Sequence, residues 1–342
     1  MNHTAAVNAT EHRAALVTGG AGFIGSHVAE ALHALGWHVE VLDDLSAGNP
    51  ANVPPGVRLH TGDIRSERDL RAAFNGGRFG AVVHCAAQTS VERSMRDPNL
   101  DREINVGGTR RVAMRAKASG VRRFVFVSSG GAIYGETPQP AAEQTPPAPR
   151  SYYGLHKCQA EGVLRADGLP YAILRPSNVY GPRQRADAEG GAVAIFCQRL
   201  LTSAPLDIHG SGQQVRDFVY VSDVVAAVLV ALASEGNVIW NVASGQATSI
   251  IALVEEMAAL TGCLVEIRHQ PRRAGDVDKS LLTAAELSAT GLWGPPMPLA
   301  QGLRLTFAAT TGTLSSACPA TSLSSSEPVR HHAGFIRRRW AG

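Results

Sequence analysis

The chain has 342 residues, of which 44% are hydrophobic and 18% charged, with a formal net charge of +3. That mixture supports a sizeable buried core and excludes an intrinsically disordered chain, while so small a charge offers nothing to a nucleic-acid partner. The five cysteines, Cys85, Cys158, Cys197, Cys263 and Cys318, lack metal-ligand spacing. Their odd number speaks against a complete disulfide framework, so a reducing cytoplasm and no metal are expected.

Residues 1–13 are polar, lack the apolar run of a signal peptide and read as a flexible leader. Ala14 to Thr18 reads as a buried strand running into glycines. Phe23 to Leu35 has helical spacing and ends at Gly36. Strands are expected at His38 to Asp43 and Val57 to His60, then a polar helix from Glu67 to Phe74. Ala81 to His84 is the fourth strand, and a helix is expected from Asp101 to Ser119. Phe124 to Ser128 is the fifth strand, Tyr152 to Ala166 a further helix, and Tyr171 to Arg175 the sixth strand. This alternation predicts an α/β fold, a Rossmann-type doubly wound parallel sheet over residues 14–178. After Asn178 the rhythm changes, and 179–307 reads as a smaller substrate-binding lid with later segments returning to the sheet. Its longest apolar stretch, Val224 to Ala233, is about half the roughly 20 residues that span a bilayer, so no membrane partner is expected. Residues 308–342, rich in Ser, Thr and Ala, read as a flexible tail.

The loops after the strands carry the chemistry. Gly19, Gly22 and Gly25 follow the first strand with the spacing G-x-x-G-x-x-G. Glycine permits a tight turn and close approach of the backbone to a pyrophosphate. The helix N-terminus beyond it offers free N–H groups to an anion. Asp43 ends the second strand about twenty residues later, where a carboxylate suits a ribose with a free 2′-OH and repels a 2′-phosphate. Asp63 follows the third strand, where it could reach an adenine. Tyr153 and Lys157 stand four apart on one helix and share a face. An ammonium one turn away favours the phenolate, so the tyrosine is expected to act as a base.

These stretches, together with His84-Cys85-Ala86-Ala87-Gln88, Asn105-Val106-Gly107-Gly108-Thr109, Ser128 to Gly135, Arg175 to Pro182, Arg216 to Val221 and Arg273-Ala274-Gly275-Asp276, resemble the extended short-chain dehydrogenases/reductases. Within them the chain is similar to the NAD-dependent epimerases that include UDP-glucose 4-epimerase. The likeness runs from about residue 14 to 307. It implies that NAD lies against Gly19, Gly22, Phe23, Ile24, Gly25, Asp43, Asp63, Ile64, Ala86, Ala87, Asn105 and Lys157. It implies catalysis by Tyr153, Lys157 and a serine hydroxyl. The most studied relatives place that serine where Gly130 stands here, so Ser129, with Ser128 second, is the expected donor. Substrate contacts fall on Ser129, Tyr153, Asn178, Arg216 and Arg273, with 192–196 against the nucleobase. A small Ser280 lies where relatives limit sugar size.

The implied activity is epimerisation at C4 of a nucleotide-activated hexose through transient hydride transfer and a 4-keto intermediate. The implied assembly is a homodimer through the helices at 101–119 and 152–166. A dehydratase would carry an acidic pair where Gly130-Gly131 stands. A decarboxylase or 4-ketoreductase of nucleotide sugars is the alternative. A non-catalytic NAD-binding regulator would require loss of Tyr153 or Lys157.

Overall fold

The computed structural model describes residues 13–75, 78–136, 139–187, 190–262, 265–273 and 276–313. Seven parallel strands form the main sheet. They are β1 (Ala14–Thr18), β2 (His38–Asp43), β3 (Arg58–Thr61), β4 (Ala81–His84), β5 (Arg123–Val127), β6 (Tyr171–Pro176) and β11 (Val238–Val242), in the order β3-β2-β1-β4-β5-β6-β11. Thr18 at the end of β1 is in register with Leu42 on one side and His84 on the other. The chain leaves β1 towards β2 and returns later to β4, so the connections diverge there and open a crevice at the strand ends.

Both faces of the sheet are covered, which is why its strands read as continuous apolar runs. On one face α1 (Phe23–Ala34) and α9 (Val221–Ala233) pack on Val17, Val39, Val41 and Val83. The long apolar stretch in α9 is therefore core. On the other face α2 (Glu67–Asn75), α5 (Thr109–Ala118) and α7 (Tyr152–Asp167) bury Leu16, Leu42, Phe124 and Phe126.

The helix expected from 101 to 119 is interrupted. α3 (Val91–Arg96) and α4 (Pro98–Arg102) precede a π-helical turn over Glu103–Gly108, and only then does α5 begin. The widened turn sits where Gly108 meets Ile64, and a Cβ on Gly108 would fall 2.5 Å from Ile64 Cδ1. Such bulges occur often at functional sites.

The remaining strands, β7 (Asn178–Tyr180), β8 (Leu206–His209), β9 (Val215–Arg216), β10 (Phe218–Tyr220), β12 (Thr248–Ser249), β13 (Ile267–Gln270) and β14 (Lys279–Ser280), form small sheets. With α8 (Ala192–Leu201), α10 (Ile250–Thr261) and α12 (Leu299–Thr313) they enclose a separate core around Tyr180, Phe196, Leu206, Phe218, Leu253 and Phe307.

α12 corrects the expected start of the tail, since residues 308–313 are helical. Its threonines hide the period by bonding back along the helix: Thr306 Oγ1 donates to Gly302 O at 2.8 Å and Thr310 Oγ1 to Thr306 O at 2.9 Å. Residues 1–12 and 314–342 lie outside the described residues. No helix among the described residues is long and apolar enough to cross a membrane.

Candidate active site

A cavity of about 2270 Å3 runs from the glycine turn across the strand ends to the small sheets. Its first wall is backbone. Gly19 has φ +69°, and a Cβ there would lie 2.6 Å from Ala86 N. A Cβ on Gly25 would lie 2.2 Å from Gly19 O, so that glycine lets α1 start close against the turn. The cap of α1, Gly22, offers no side chain, which leaves the first N–H groups of the helix to the cavity. Phe23 and Ile24 line the same wall.

Asp43 is buried and ties this wall together. Its carboxylate accepts from Ala21 N at 3.0 Å and Leu45 N at 2.9 Å. Burial pushes its acidity towards the protonated form, and those backbone donors oppose the shift. Asp63, beside Ile64 on the cavity wall, is gripped by Arg65, which holds it below the usual carboxylate range. Ala86 and Ala87 line the cavity beyond β4. Asn105 is buried next to them. It stands behind the wall and pins the loop, accepting from Gln88 N at 3.1 Å and donating to Gln88 O at 2.9 Å.

The floor of the cavity joins α7 to α6 (Gly130–Ile133). Ser151 caps α7 through Gly154 N, and a Cβ on Gly154 would fall 2.3 Å from Ala132 O. That close approach sets Tyr153 beside Ser129, whose side chain acts on the phenol. Ser128 points away and donates to Glu161 Oε1 at 2.7 Å. The two serines line the same cavity with different partners. A serine at 130 is sterically excluded, because its Cβ would lie 2.4 Å from Leu282 and 2.8 Å from Arg175 O.

Lys157 is buried, donates to Val127 O at 2.8 Å and lies 4.4 Å above the Phe126 ring. Burial pushes it down to about 8. Tyr153 is pushed up to about 12 by burial, with the Ser129 hydrogen bond opposing. Tyr153 and Lys157 are thus both buried on one helix face, where burial disfavours the charged form of each.

The far wall is built of side chains. Asn178, Arg216, Arg273 and Asp276 line it, with Ala192, Val193, Ile195 and Phe196 on α8. Arg216 is ion-paired with Asp276, and Arg273 is exposed. Asn178 Nδ2 donates to Asp217 O at 3.1 Å. Asp217, fully buried, accepts from Ser177, Ser244 and Gly245, which fixes the loops on either side. Ser280 accepts from Asp217 N through its carbonyl at 3.2 Å. It is buried with its hydroxyl 3.5 Å from Gly131 O, and Gly131 itself lines the wall. Ala274 and Gly275 of the Arg273 motif lie outside the described residues. The sequence reading missed Ser94, whose hydroxyl accepts from Tyr153 N at 3.1 Å, because a serine inside a short polar helix carries no pattern.

A glycine-turn cleft at the switch point of a parallel sheet, with a Tyr-Ser-Lys floor, defines a dinucleotide-dependent enzyme that moves a proton at a hydroxyl. The chain matches the NAD dependent epimerase/dehydratase family over residues 15–243 and belongs to it. It is 37% identical over 301 residues to the UDP-glucose 4-epimerase of Mycolicibacterium smegmatis, covering 85% of this chain and 96% of that one. Among solved structures it is similar to the UDP-glucose 4-epimerase of Thermotoga maritima with UDP-glucose, at 39% identity and TM-score 0.85, covering 88% and 100% of the two chains. It is also similar to the UDP-glucose 4-epimerase of Thermus thermophilus in complex with NAD, at 41% identity and TM-score 0.84, covering 87% and 99%.

Proposed function

We propose that the protein is an NAD-dependent nucleotide-sugar 4-epimerase that interconverts UDP-glucose and UDP-galactose. The observation that carries this reading is that Ser129, Tyr153 and Lys157 line one cavity that runs from the glycine turn to Arg216. The residues fit the cofactor. Bare backbone at Gly19 and Gly25 and the uncapped start of α1 suit a pyrophosphate, and Asp43 suits an unphosphorylated ribose. When bound, the nicotinamide takes up and returns the electron pair at C4 of the sugar.

The chain's own residues handle the rest. Tyr153 accepts the proton of the C4 hydroxyl and later gives it back. Ser129 bonds the same oxygen and orients it. The Lys157 ammonium supplies positive charge that favours the phenolate. Between the two transfers the 4-keto sugar must present its other face, so the diphosphate has to be held elsewhere. Arg216, Arg273 and Asn178 serve as that anchor, since guanidinium forks match phosphate oxygens in charge and geometry. Residues 192–196 pack on the nucleobase. The Gly130-Gly131 pair, where a dehydratase would place acidic groups, leaves no additional acid to eliminate water.

Purified protein mixed with UDP-glucose and no added cofactor is expected to form UDP-galactose, detected by chromatography. Absence of conversion with every UDP- and dTDP-hexose overturns the reading.

We assign the protein to the cytoplasm, in keeping with the free thiols of Cys85, Cys158 and Cys197. It works as a homodimer. Val91, Met95, Met114, Tyr152 and Leu155 are exposed on α3, α5 and α7, an apolar surface of the kind that pairs copies of a chain. Leu155→Asp is expected to give a monomer by light scattering, where the unaltered chain gives a dimer.

A further inference from the structure

Two carboxylates are buried near Tyr153 and Lys157, and they are neutralised differently. Glu161 is held by Arg175 through both carboxylate oxygens, at 3.0 and 2.6 Å. A guanidinium keeps its charge at every working pH, so that pair is permanently balanced. Asp101, 1% exposed, has no such cation among the described residues. Its Oδ2 meets His156 Nδ1 at 2.5 Å. Its Oδ1 accepts from Gln88 Nε2 at 2.6 Å and Asn105 Nδ2 at 3.1 Å.

The placement of these partners matters. His156 is buried on the same face of α7 as Tyr153 and Lys157, with Tyr152 stacked against it at 6.0 Å. Gln88 follows Ala86 and Ala87 on the cofactor wall. Its Oε1 accepts from Ser90 N, Ser90 caps α3, and Ser94 of α3 accepts from Tyr153 N. Asp101 thus closes a ring of hydrogen bonds that leaves α7, crosses the cofactor loop and returns to Tyr153.

We propose that Asp101 and His156 are positioning residues for Tyr153 and Lys157. Asp101 clamps the catalytic face of α7 to the cofactor loop and sets a negative charge near the Lys157 ammonium. The groups acting on Lys157 from the surrounding elements are Asp101 from α4, Cys85 from the loop after β4, and Glu161 from α7. His84 of β4 stays neutral, pushed down to about 3 by burial and by Lys157. Glu161 is matched by the Arg175 guanidinium, whereas Asp101 is held by an imidazole and two side-chain amides.

The proposal bears on catalysis only through the epimerase reading, but its central test does not require turnover. The chain has only three lysines, Lys117, Lys157 and Lys279. Protein labelled with 13C at lysine Cε gives three NMR signals, and Lys157→Met assigns the one of interest. Asp101→Asn removes the charge and keeps the size. It is expected to lower the Lys157 titration midpoint by about one pH unit. It is also expected to lower kcat by about tenfold to a hundredfold through misplacement of Tyr153, with KM for the sugar nucleotide unchanged. Asp101→Ser serves if the asparagine variant does not fold. His156→Asn keeps the Asp101 charge while breaking the clamp, so kcat falls and the Lys157 midpoint does not. An unchanged midpoint without the Asp101 carboxylate, or a lowered one in His156→Asn, overturns the charge role. Unchanged kcat in both variants overturns the clamp. Wild-type protein without epimerase activity would overturn the functional reading and leave the NMR titration standing.

Discussion

The two walls of the cavity are made of different material. The cofactor wall is backbone, set by the parallel sheet: Gly19, Gly25 and the start of α1 have no side chain to adjust. The sugar wall is side chains on strands of two or three residues, with Arg216 shared between the cavity and Asp276 and Arg273 exposed. Changes on the first wall should act all or none, because a backbone clash cannot relax without moving the sheet. Changes on the second should be graded, because each removes one hydrogen-bonding group from several.

The floor between the walls has the largest expected effect. Tyr153→Phe should lower turnover by about 10³-fold or more while NAD remains bound, measured as UDP-galactose formed and as NAD released on denaturation. A variant that kept a tenth of the activity would remove Tyr153 from its role.

The contrast between the walls is then testable with two matched substitutions. Gly19→Ala forces a left-handed residue into Ala86 N at 2.6 Å. It should cost on the order of 1–3 kcal/mol and strip the cofactor, read as a lower Tm and missing NAD. Gly131→Ala meets nothing nearer than 3.8 Å and should keep both NAD and Tm. Equal losses in the two would erase the distinction.

Arg216→Ala should raise KM for the sugar nucleotide about tenfold to a hundredfold, the worth of one or two charged hydrogen bonds, with bound NAD unchanged. Arg273→Ala should do less, since its guanidinium is exposed.

The smallest effect is with pH. Burial lowers Lys157 from its ordinary value to about 8, so the folded protein releases this proton sooner than the unfolded chain. Turnover should fall as pH rises through about 8, where the ammonium is lost. Between that point and the ordinary lysine range the unfolded state binds more protons, so this group makes stability rise with pH. Opposite slopes of kcat and Tm above pH 8, both absent in Lys157→Met, would carry the point.

Much of this was readable before any coordinates. The alternation of apolar runs with helical periods specified the parallel sheet, and the glycine spacing, Asp43, Tyr153 and Lys157 marked residues that line one cavity. These are short-range facts: a strand, a turn and one helix face are set by neighbours a few residues away, and backbone sterics translate them directly into geometry. The pieces that needed three dimensions are those whose partners lie far along the chain. Ser128 donates to Glu161 while Ser129 acts on Tyr153, and a serine at 130 was excluded by Leu282 and Arg175. Asn105 reaches the Gln88 loop from a π-helical turn, and the Ser280 hydroxyl lies against Gly131.

The net acidity of Tyr153 belongs to the same group, because desolvation depends on everything packed around a side chain and not on the residue four positions away. Local pattern thus determined the fold class and the cast of residues. Burial, and the long-range hydrogen bonds that burial makes obligatory, decided which way each one faces and how readily it holds a proton.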